Sequence, residues 1–210
     1  MIKYLAIAGI HTGIGKTIAS AVIAEAIGAD YWKPVQAGTA ERDVLQVQML
    51  LTNGNTRVHE EALLLSTPVS PHAAAHIDGV EIDFTKFIWP KTNGTLLIET
   101  AGGLLSPMSA STTMADFIAH YQLPAILVVQ NYLGSINHTL LSIEVMKARG
   151  ISLIGIVING VANEYSETFI EQYAKVPIIA RIPYFDKLDN STIIKCANEI
   201  KDSLNPLFLK

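Results

Sequence analysis

The sequence predicts an α/β fold in which a mostly parallel central sheet lies between layers of helices. Continuous apolar runs of strand length recur along the chain, over residues 2–8, 95–99, 124–129 and 151–158. Segments with helical patterns separate these runs, and this alternation is typical of right-handed crossovers between parallel strands. Half of the 210 residues are hydrophobic and only 16% are charged, which suits a sheet that is buried on both faces.

The first strand leads into a glycine-rich loop that ends in Gly15-Lys16-Thr17. Such a loop exposes backbone N–H groups, which bind phosphate together with the positive end of the following helix. Lys16 would reach the β- and γ-phosphates and Thr17 would hold Mg²⁺. Five residues separate Gly9 from Gly15, one more than in the simple P-loop pattern, and the alternative is a plain turn with a solvated lysine. The preceding strand and a following helix ended by Gly28 favour a P-loop NTPase-like three-layer fold.

A second apolar strand, residues 95–99, ends in Glu99 and is followed by Gly102 and Gly103. An acid after an apolar strand is the Walker-B arrangement, in which a carboxylate completes the Mg²⁺ shell. The two glycines would let the backbone approach a ligand. The alternative is an acid solvated at a strand end, and the phosphate loop in the same chain weakens it.

Residues 29–36 predict one short strand, followed by a loop that contains Ala37 and Thr39. Open α/β sheets bind ligands at the carboxyl ends of their strands, so Lys33 is a candidate second cation of the site. A strand-end lysine that points into water is an equal alternative. The next helix, residues 41–51, carries Asp43 near its start, where an acid also favours the helix dipole.

Three further segments have candidate binding residues. Gly134 and Ser135 precede a helix predicted over residues 139–149, which indicates either an anion site for a carboxylate or plain capping by Ser135 or Asn137, and the residues alone favour capping. Asn159 and the loop at Pro183 follow strands, where a nucleotide base could rest. His72 and His76 are four residues apart without a third ligand at useful spacing, so a zinc site is disfavoured.

Composition restricts the class of protein. The net charge is −4 without a Lys/Arg-rich run, so neither a nucleic acid nor a membrane surface is an expected partner. No apolar run approaches the roughly 18 residues of a membrane span, and no targeting segment precedes the first strand. We therefore expect a cytoplasmic enzyme of small molecules, folded as one domain over residues 1–210. The single cysteine, Cys196, falls in a helical pattern over residues 191–204 and should be a core residue. That pattern has its apolar positions at Ile193, Ile194, Ala197, Ile200 and Leu204.

Taken together, these stretches resemble the dethiobiotin synthetase family, which closes the ureido ring in biotin biosynthesis. The similarity spans nearly the whole chain and rests on Gly9-x5-Gly15-Lys16-Thr17, Lys33-Pro34-Val35, Ser70-Pro71-His72, Glu99-Thr-Ala-Gly102-Gly103, Leu133-Gly-Ser-Ile-Asn137-His138 and Ile182-Pro183. In this family CO₂ joins 7,8-diaminononanoate as a carbamate. ATP activates the carbamate as a carbamic-phosphoric anhydride, which the neighbouring amine attacks, and ADP and phosphate are released.

The resemblance implies roles for particular residues of this chain. The catalytic residues would be Lys33 and Lys16, and the Mg²⁺ ligands Thr17, Asp43 and Glu99. ATP would be bound by Thr12, Gly13, Ile14, Gly15, Lys16, Thr17, Asp43, Glu99, Gly102, Asn159, Gly160, Pro183, Tyr184 and Phe185. The substrate would be bound by Thr12, Lys33, Ala37, Thr39, Gly102, Ser135, Ile136, Asn137 and Tyr165.

The resemblance also implies a homodimer with a shared active site. The helix start at residues 135–137 of one subunit would receive the substrate carboxylate bound in the other. Tyr165 lies near the position of a tyrosine that the partner subunit contributes in this family. Ala37 stands where many members have Ser or Thr, so a hydroxyl contact to the substrate is either missing or supplied by Thr39.

Other functions of the same superfamily are less consistent with the sequence. Partitioning or positioning ATPases usually have an additional lysine early in the loop, where this chain has Ile10, His11 and Thr12. An amidotransferase acting on cobalt-corrin precursors would need a glutaminase domain with a reactive cysteine. Guanine specificity is disfavoured because Asn159 is followed by Gly-Val-Ala.

Overall fold

The computed structural model describes residues 2–208, and this range contains nine strands, seven α-helices and one 3-10 helix. In chain order they are β1 (Tyr4–Gly9), α1 (Lys16–Ile27), β2 (Asp30–Trp32), β3 (Val35–Ala37), α2 (Asp43–Leu50), β4 (Val58–His59), β5 (Leu63–Leu65), α3 (Pro71–Asp78), the 3-10 helix (Phe84–Lys86), β6 (Leu96–Glu99), α4 (Met114–His120), β7 (Ala125–Val129), α5 (Ser135–Ala148), β8 (Leu153–Asn159), α6 (Glu164–Ala174), β9 (Ile178–Ile182) and α7 (Asn190–Phe208).

Seven strands form one sheet in the order β4-β2-β6-β1-β7-β8-β9, and each neighbouring pair is parallel. The first strand of the chain therefore lies at the centre, where Ile7 pairs with Glu99 on one side and with Ile126 on the other. Because all seven strands run the same way, their carboxyl ends meet at one edge of the sheet. The parallel sheet and its helices confirm the predicted fold class.

Both faces of the central strand are covered. Successive residues of a strand point to opposite faces, yet Leu5, Ala6, Ile7 and Ala8 are all fully buried. Helix α1 packs against α7, and α5 packs against α6. Among the described residues, no helix combines the length and the apolar character that crossing a bilayer requires.

The closing helix runs from Asn190 to Phe208, beyond the predicted end at residue 204, and includes Pro206. Cys196 is buried in its packed face, which confirms the core position predicted for it. Burial raises the pKa of the Cys196 thiol to about 11, so the thiol is a poor nucleophile at neutral pH. The prediction was wrong for Ile194, whose side chain is 37% exposed.

Two predicted boundaries were wrong for reasons that the backbone makes clear. Residues 29–36 form two strands in different sheets: β2 pairs with β6 in the main sheet, whereas β3 pairs with β5 in a separate two-stranded sheet. Pro34, which has no N–H to donate, lies between them. Helix α5 begins at Ser135 and not at residue 139, because Gly134 has a φ of 102° and starts the helix in the left-handed region.

Candidate nucleotide and substrate site

The loop between β1 and α1 packs directly against the end of β8. Gly15 has a φ of 80°, and a Cβ atom at this position would lie 2.1 Å from Nδ2 of Asn159. That amide donates a hydrogen bond to the carbonyl oxygen of Ile14 at 2.8 Å. Gly15 is also the N-cap of α1 and provides no side-chain cap. The first N–H groups of α1 are therefore open to an anion, as a phosphate-binding loop requires.

Lys16 is buried at the start of α1, and its Nζ donates to the carbonyl oxygen of His11 at 3.2 Å. Burial lowers the pKa of Lys16 to about 8. Glu99 and Asp43 oppose this change in pKa, whereas the nearby charge of Lys33 adds to it. A lysine whose charged form is disfavoured by burial gains strongly from an anionic ligand. The position of Lys16 therefore suits binding of phosphate.

Lys33, Asp43, Glu99 and Thr17 form one cluster, which we call the lysine–carboxylate ring. Nζ of Lys33 donates to Oε1 of Glu99 at 3.2 Å and to Oδ2 of Asp43. Lys33 and Glu99 are 7% and 1% exposed, so Lys33 is not a solvated strand-end lysine. Burial alone would lower the pKa of Lys33, but the charges of Glu99 and Asp43 outweigh burial and raise it. Lys33 therefore stays a cation at the site.

Thr17 connects the two carboxylates of the ring. Its Oγ1 lies 2.9 Å from Oδ1 of Asp43 and 3.0 Å from Oε1 of Glu99. A hydroxyl has one proton, so it can donate to only one of these oxygens at a time. One hydroxyl and two carboxylates are the hard oxygen ligands that Mg²⁺ prefers, and Mg²⁺ keeps waters and substrate phosphates as its other ligands. The residues present therefore fit Mg²⁺ together with a nucleotide.

Two residues that the sequence analysis missed, Ser20 and Tyr31, bind the second carboxylate oxygen of Glu99. Ser20 Oγ and the Tyr31 hydroxyl donate to Oε2 of Glu99 at 3.0 and 2.9 Å, and both residues are fully buried. Burial and the charge of Glu99 raise the pKa of Tyr31 well above its ordinary value, which keeps the phenol a proton donor. Ser20 was detectable, because a residue three positions after Thr17 shares its helix face. Tyr31 belongs to no motif.

A cavity of about 440 Å³ opens beside Lys33. Thr12, Ala37 and Gly102 line it, as the resemblance implied for substrate-binding residues, and so does Asp43. Thr39 is exposed and is not part of the lining, so its substrate contact stays a prediction. Three polar residues of the lining, Gln36, Ser70 and Ser106, were not among the predicted site residues.

A second cavity, of about 780 Å³, lies between the starts of α5 and α6. Ile136 and Asn137 line it, whereas Ser135 is only 2% exposed and does not. The N-cap of α5 is Gly134 without a side-chain cap, so plain capping by Ser135 or Asn137 is wrong. Tyr165 is 91% exposed one residue before Ser166, which lines this cavity. The two cavities have no lining residue in common.

The candidate base-binding segments lie at the ends of β8 and β9. The N–H of Gly160 donates to the carbonyl oxygen of Ile182 at 2.8 Å, which joins the two strand ends. Pro183, Tyr184 and Phe185 follow, with Tyr184 exposed and Phe185 packed against the core. Their contact with adenine stays a prediction. His72 and His76 are exposed on α3, and the described residues contain no group of three or more His, Cys, Asp or Glu that could hold a metal.

Comparison with known proteins supports a nucleotide-binding P-loop fold. A family model described as an AAA domain matches residues 3–192. A ParA family ATPase from Chlorobium tepidum shares the fold, with a TM-score of 0.55 at 13% identity, over 100% of this chain and 99% of that protein. At this identity the likeness shows the P-loop fold alone.

Curated sequences are much more similar. Over 192 residues the chain is 47% identical to the ATP-dependent dethiobiotin synthetase BioD of Christiangramia forsetii, covering 90% of this chain and 92% of that protein. It is 42% identical over 204 residues to the protein of the same name from Cytophaga hutchinsonii, covering 97% and 98%. On this similarity along almost its whole length, the chain belongs to the ATP-dependent dethiobiotin synthetase family.

Proposed function

We propose that the protein is an ATP-dependent dethiobiotin synthetase that forms the ureido ring of dethiobiotin from 7,8-diaminononanoate, CO₂ and ATP. The observation that carries this proposal is the lysine–carboxylate ring, which lies between the phosphate loop and the cavity beside Lys33. Family membership supports the reaction and its use of ATP. We further infer that the chain acts as one ATP-binding domain in the cytoplasm, on small molecules and without nucleic acid or membrane partners.

Phosphoryl transfer to a carbamate brings several negative charges together, so positioning and charge neutralisation should dominate catalysis. The loop of residues 12–17 would hold the triphosphate, with Lys16 at the transferred group. Lys33, held by two carboxylates at the wall of the cavity, would neutralise the carbamate and orient its oxygen toward the γ-phosphorus. Thr17, Asp43 and Glu99 would hold Mg²⁺, which supplies charge stabilisation for the phosphates.

The second half of the reaction closes the ureido ring of the product. The carbamate oxygen has by then bonded to phosphorus, with release of ADP. The nitrogen of the neighbouring amine forms a bond to the carbamate carbon, and the bond from that carbon to the phosphorylated oxygen breaks. Phosphate leaves, and the attacking neutral amine loses one proton and keeps the other as an N–H of the ureido ring. The enzyme contributes mainly the geometry that brings the amine to this carbon and the water-excluding walls around the anhydride.

We infer that two chains share the active site. Of the residues expected to bind the substrate, Thr12, Lys33, Ala37 and Gly102 line one cavity, whereas Ile136 and Asn137 line another that shares no residue with it. This separation supports a substrate that is held between two chains. Large apolar side chains stand in solvent around the second cavity: Leu133, Val161 and Tyr165 are 104%, 71% and 91% exposed. Burying such a group against a second copy is favourable. The start of α5 in one chain would then meet the substrate carboxylate at the Lys33 cavity of its partner.

The decisive experiment measures phosphate release from MgATP with and without 7,8-diaminononanoate plus bicarbonate, and follows dethiobiotin by mass spectrometry. We expect phosphate release to depend on the diamine and to match dethiobiotin in amount. ATP hydrolysis that is indifferent to the diamine would refute the reaction and would favour a nucleotide-switched ATPase with the same fold.

The Mg²⁺ site has a separate test. Glu99→Gln removes the charge of one proposed ligand, so the Mg²⁺ concentration for half-maximal ATP binding should rise about tenfold or more. Glu144→Gln, which changes a surface acid paired with Lys147, is the matched control and should leave that concentration unchanged. An unaltered Mg²⁺ requirement in Glu99→Gln would contradict the assignment of Glu99.

A further inference from the structure

Ser106 lies in the segment between β6 and α4, and it lines the cavity beside Lys33. Its hydroxyl faces Gly102. A Cβ atom on Gly102 would come within 2.3 Å of Oγ of Ser106 and within 3.3 Å of Oγ1 of Thr12. Because Gly102 has no side chain, both hydroxyls are open on the same side of the loop that follows Glu99. Ser106 thus occupies the wall of the proposed substrate cavity next to a predicted substrate residue.

The hydroxyl of Ser106 is fixed as an acceptor and free as a donor. The backbone N–H of Gly103 donates to Oγ at 2.8 Å, which holds the oxygen in place. Within residues 2–208 this oxygen donates no hydrogen bond to another group of the chain. Accepting a hydrogen bond polarises an O–H group and makes it a stronger donor. The proton is therefore available to a ligand in the cavity.

The other unpredicted polar groups of this cavity are engaged. Oγ of Ser70 is 3.0 Å from Nδ1 of His72. The amide of Gln36 faces backbone carbonyls of its own loop, including that of Ala37 at 3.2 Å, and the N–H of Asp43. Ala37 offers no hydroxyl. Ser106 therefore presents a free O–H donor in a cavity that also holds the Lys33 cation, and this combination suits an anionic oxygen.

We propose that Ser106 is a substrate-binding residue whose hydroxyl donates a hydrogen bond to an oxygen of the diaminononanoate carbamate. This inference rests on the proposed function. Lys33 provides positive charge for the carbamate. The hydroxyls of Ser106 and Thr12 orient the carbamate by hydrogen bonding, so that one of its oxygens faces the nucleotide. Ser106 thus supplies a hydroxyl to a cavity in which Ala37 offers none.

The test compares Ser106→Ala with Ser106→Thr, which keeps the hydroxyl. Ser111→Ala is the matched control, because Ser111 is exposed in the same segment and does not line the cavity. Steady-state rates are measured with diaminononanoate varied at saturating bicarbonate and MgATP, and then with MgATP varied. A hydrogen bond to a charged group corresponds to about a tenfold effect or more. We expect KM for the diamine to rise about tenfold in Ser106→Ala, with KM for MgATP within about twofold of wild type. Ser106→Thr should restore most of the loss.

Each contrary outcome is distinct. A wild-type KM for the diamine in Ser106→Ala would overturn the proposal. So would a KM for MgATP and a melting temperature that change together with the KM for the diamine, because Ser106 would then only hold the loop through Gly103. Wild-type enzyme that makes no dethiobiotin would overturn the proposed function and this inference with it.

Discussion

The lysine–carboxylate ring and the surface around the start of α5 differ in how many of their side chains and backbone groups find partners within one chain. In the ring, the charge of Lys33 is paired with two carboxylates, and Glu99 accepts hydrogen bonds from Thr17, Ser20 and Tyr31 as well. At the start of α5, in contrast, Leu133 is fully exposed and the first turn has no side-chain cap. The nucleotide half is thus organised within one chain. The substrate half, under the proposed dimer, is completed by a second.

Removing Lys33 should have the largest effect on catalysis of the changes considered for the nucleotide half of the site. Lys33→Ala deletes a cation at the reacting groups, and we expect kcat to fall about 10²–10³-fold, the effect of deleting one transition-state donor. The fold should survive, because Glu99 keeps its hydrogen bonds from Thr17, Ser20 and Tyr31. Turnover and circular dichroism check both statements, with Lys147→Ala on the surface of α5 as the control. Near wild-type turnover would remove Lys33 from the mechanism.

Two glycines of the phosphate loop provide a matched pair. Both have positive φ, 76° at Gly13 and 80° at Gly15, so alanine costs about 1–2 kcal/mol of backbone strain at either position. Only Gly15 also meets a neighbour, since its added Cβ would clash with Asn159, whereas nothing lies within 4 Å at Gly13. We expect Gly15→Ala to weaken MgATP binding about 100-fold and Gly13→Ala about tenfold, measured by calorimetry. Equal losses would mean that contact with Asn159 does not shape the loop.

A charged residue introduced into the apolar surface around the start of α5 tests the proposed dimer. Leu133→Asp should weaken association of the two chains about 30-fold or more, the effect expected at the centre of an interface. Ile88→Asp, at a residue that is 90% exposed in the segment before β6, is the control. Light scattering after gel filtration gives the mass, and turnover is measured at the same concentrations. A wild-type protein that is a fully active monomer would refute the shared site.

Tyr31 gives the smallest effect and the finest test of the ring. Tyr31→Phe keeps the aromatic side chain in the core but removes one hydrogen bond to Glu99. The Mg²⁺ concentration for half-maximal activity should therefore rise about fivefold. Tyr121→Phe removes a comparable hydrogen bond, from Tyr121 to the carbonyl of Phe84 at 3.0 Å, and should leave the Mg²⁺ dependence unchanged. Equal behaviour of the two variants would make Tyr31 a purely structural residue.

Local sequence patterns were sufficient wherever one segment determines its own structure. The strand, loop and helix around Lys16 follow from apolar length and glycines, and the acid that ends β6 follows from the same kind of pattern. These features also meet in space because β1 and β6 lie in one parallel sheet, whose strands end at the same edge.

Features that depend on distant partners could not be predicted. Pro34 can interrupt the strand locally, but the placement of β3 in a separate sheet depends on β5, about 30 residues later, with which β3 pairs. Tyr31 contacts Glu99, which is 68 residues away in the chain. The donor role of Ser106 depends on how the loop after β6 folds over Gly102, and no pattern in the residues encodes that fold. Periodicity describes a segment, whereas these contacts arise from tertiary packing.

The central position of β1 also has a consequence for synthesis of the protein. The phosphate loop leaves the ribosome early, but its contact with Asn159 joins residues 145 positions apart. At about 5–20 residues per second, roughly 7–30 s pass between making the loop and making its support. During this time β1 has both edges unpaired until β6 and β7 arrive, and such edges favour aggregation. The nascent chain therefore passes through a stage in which the phosphate loop has been made but its contact with Asn159 has not yet formed.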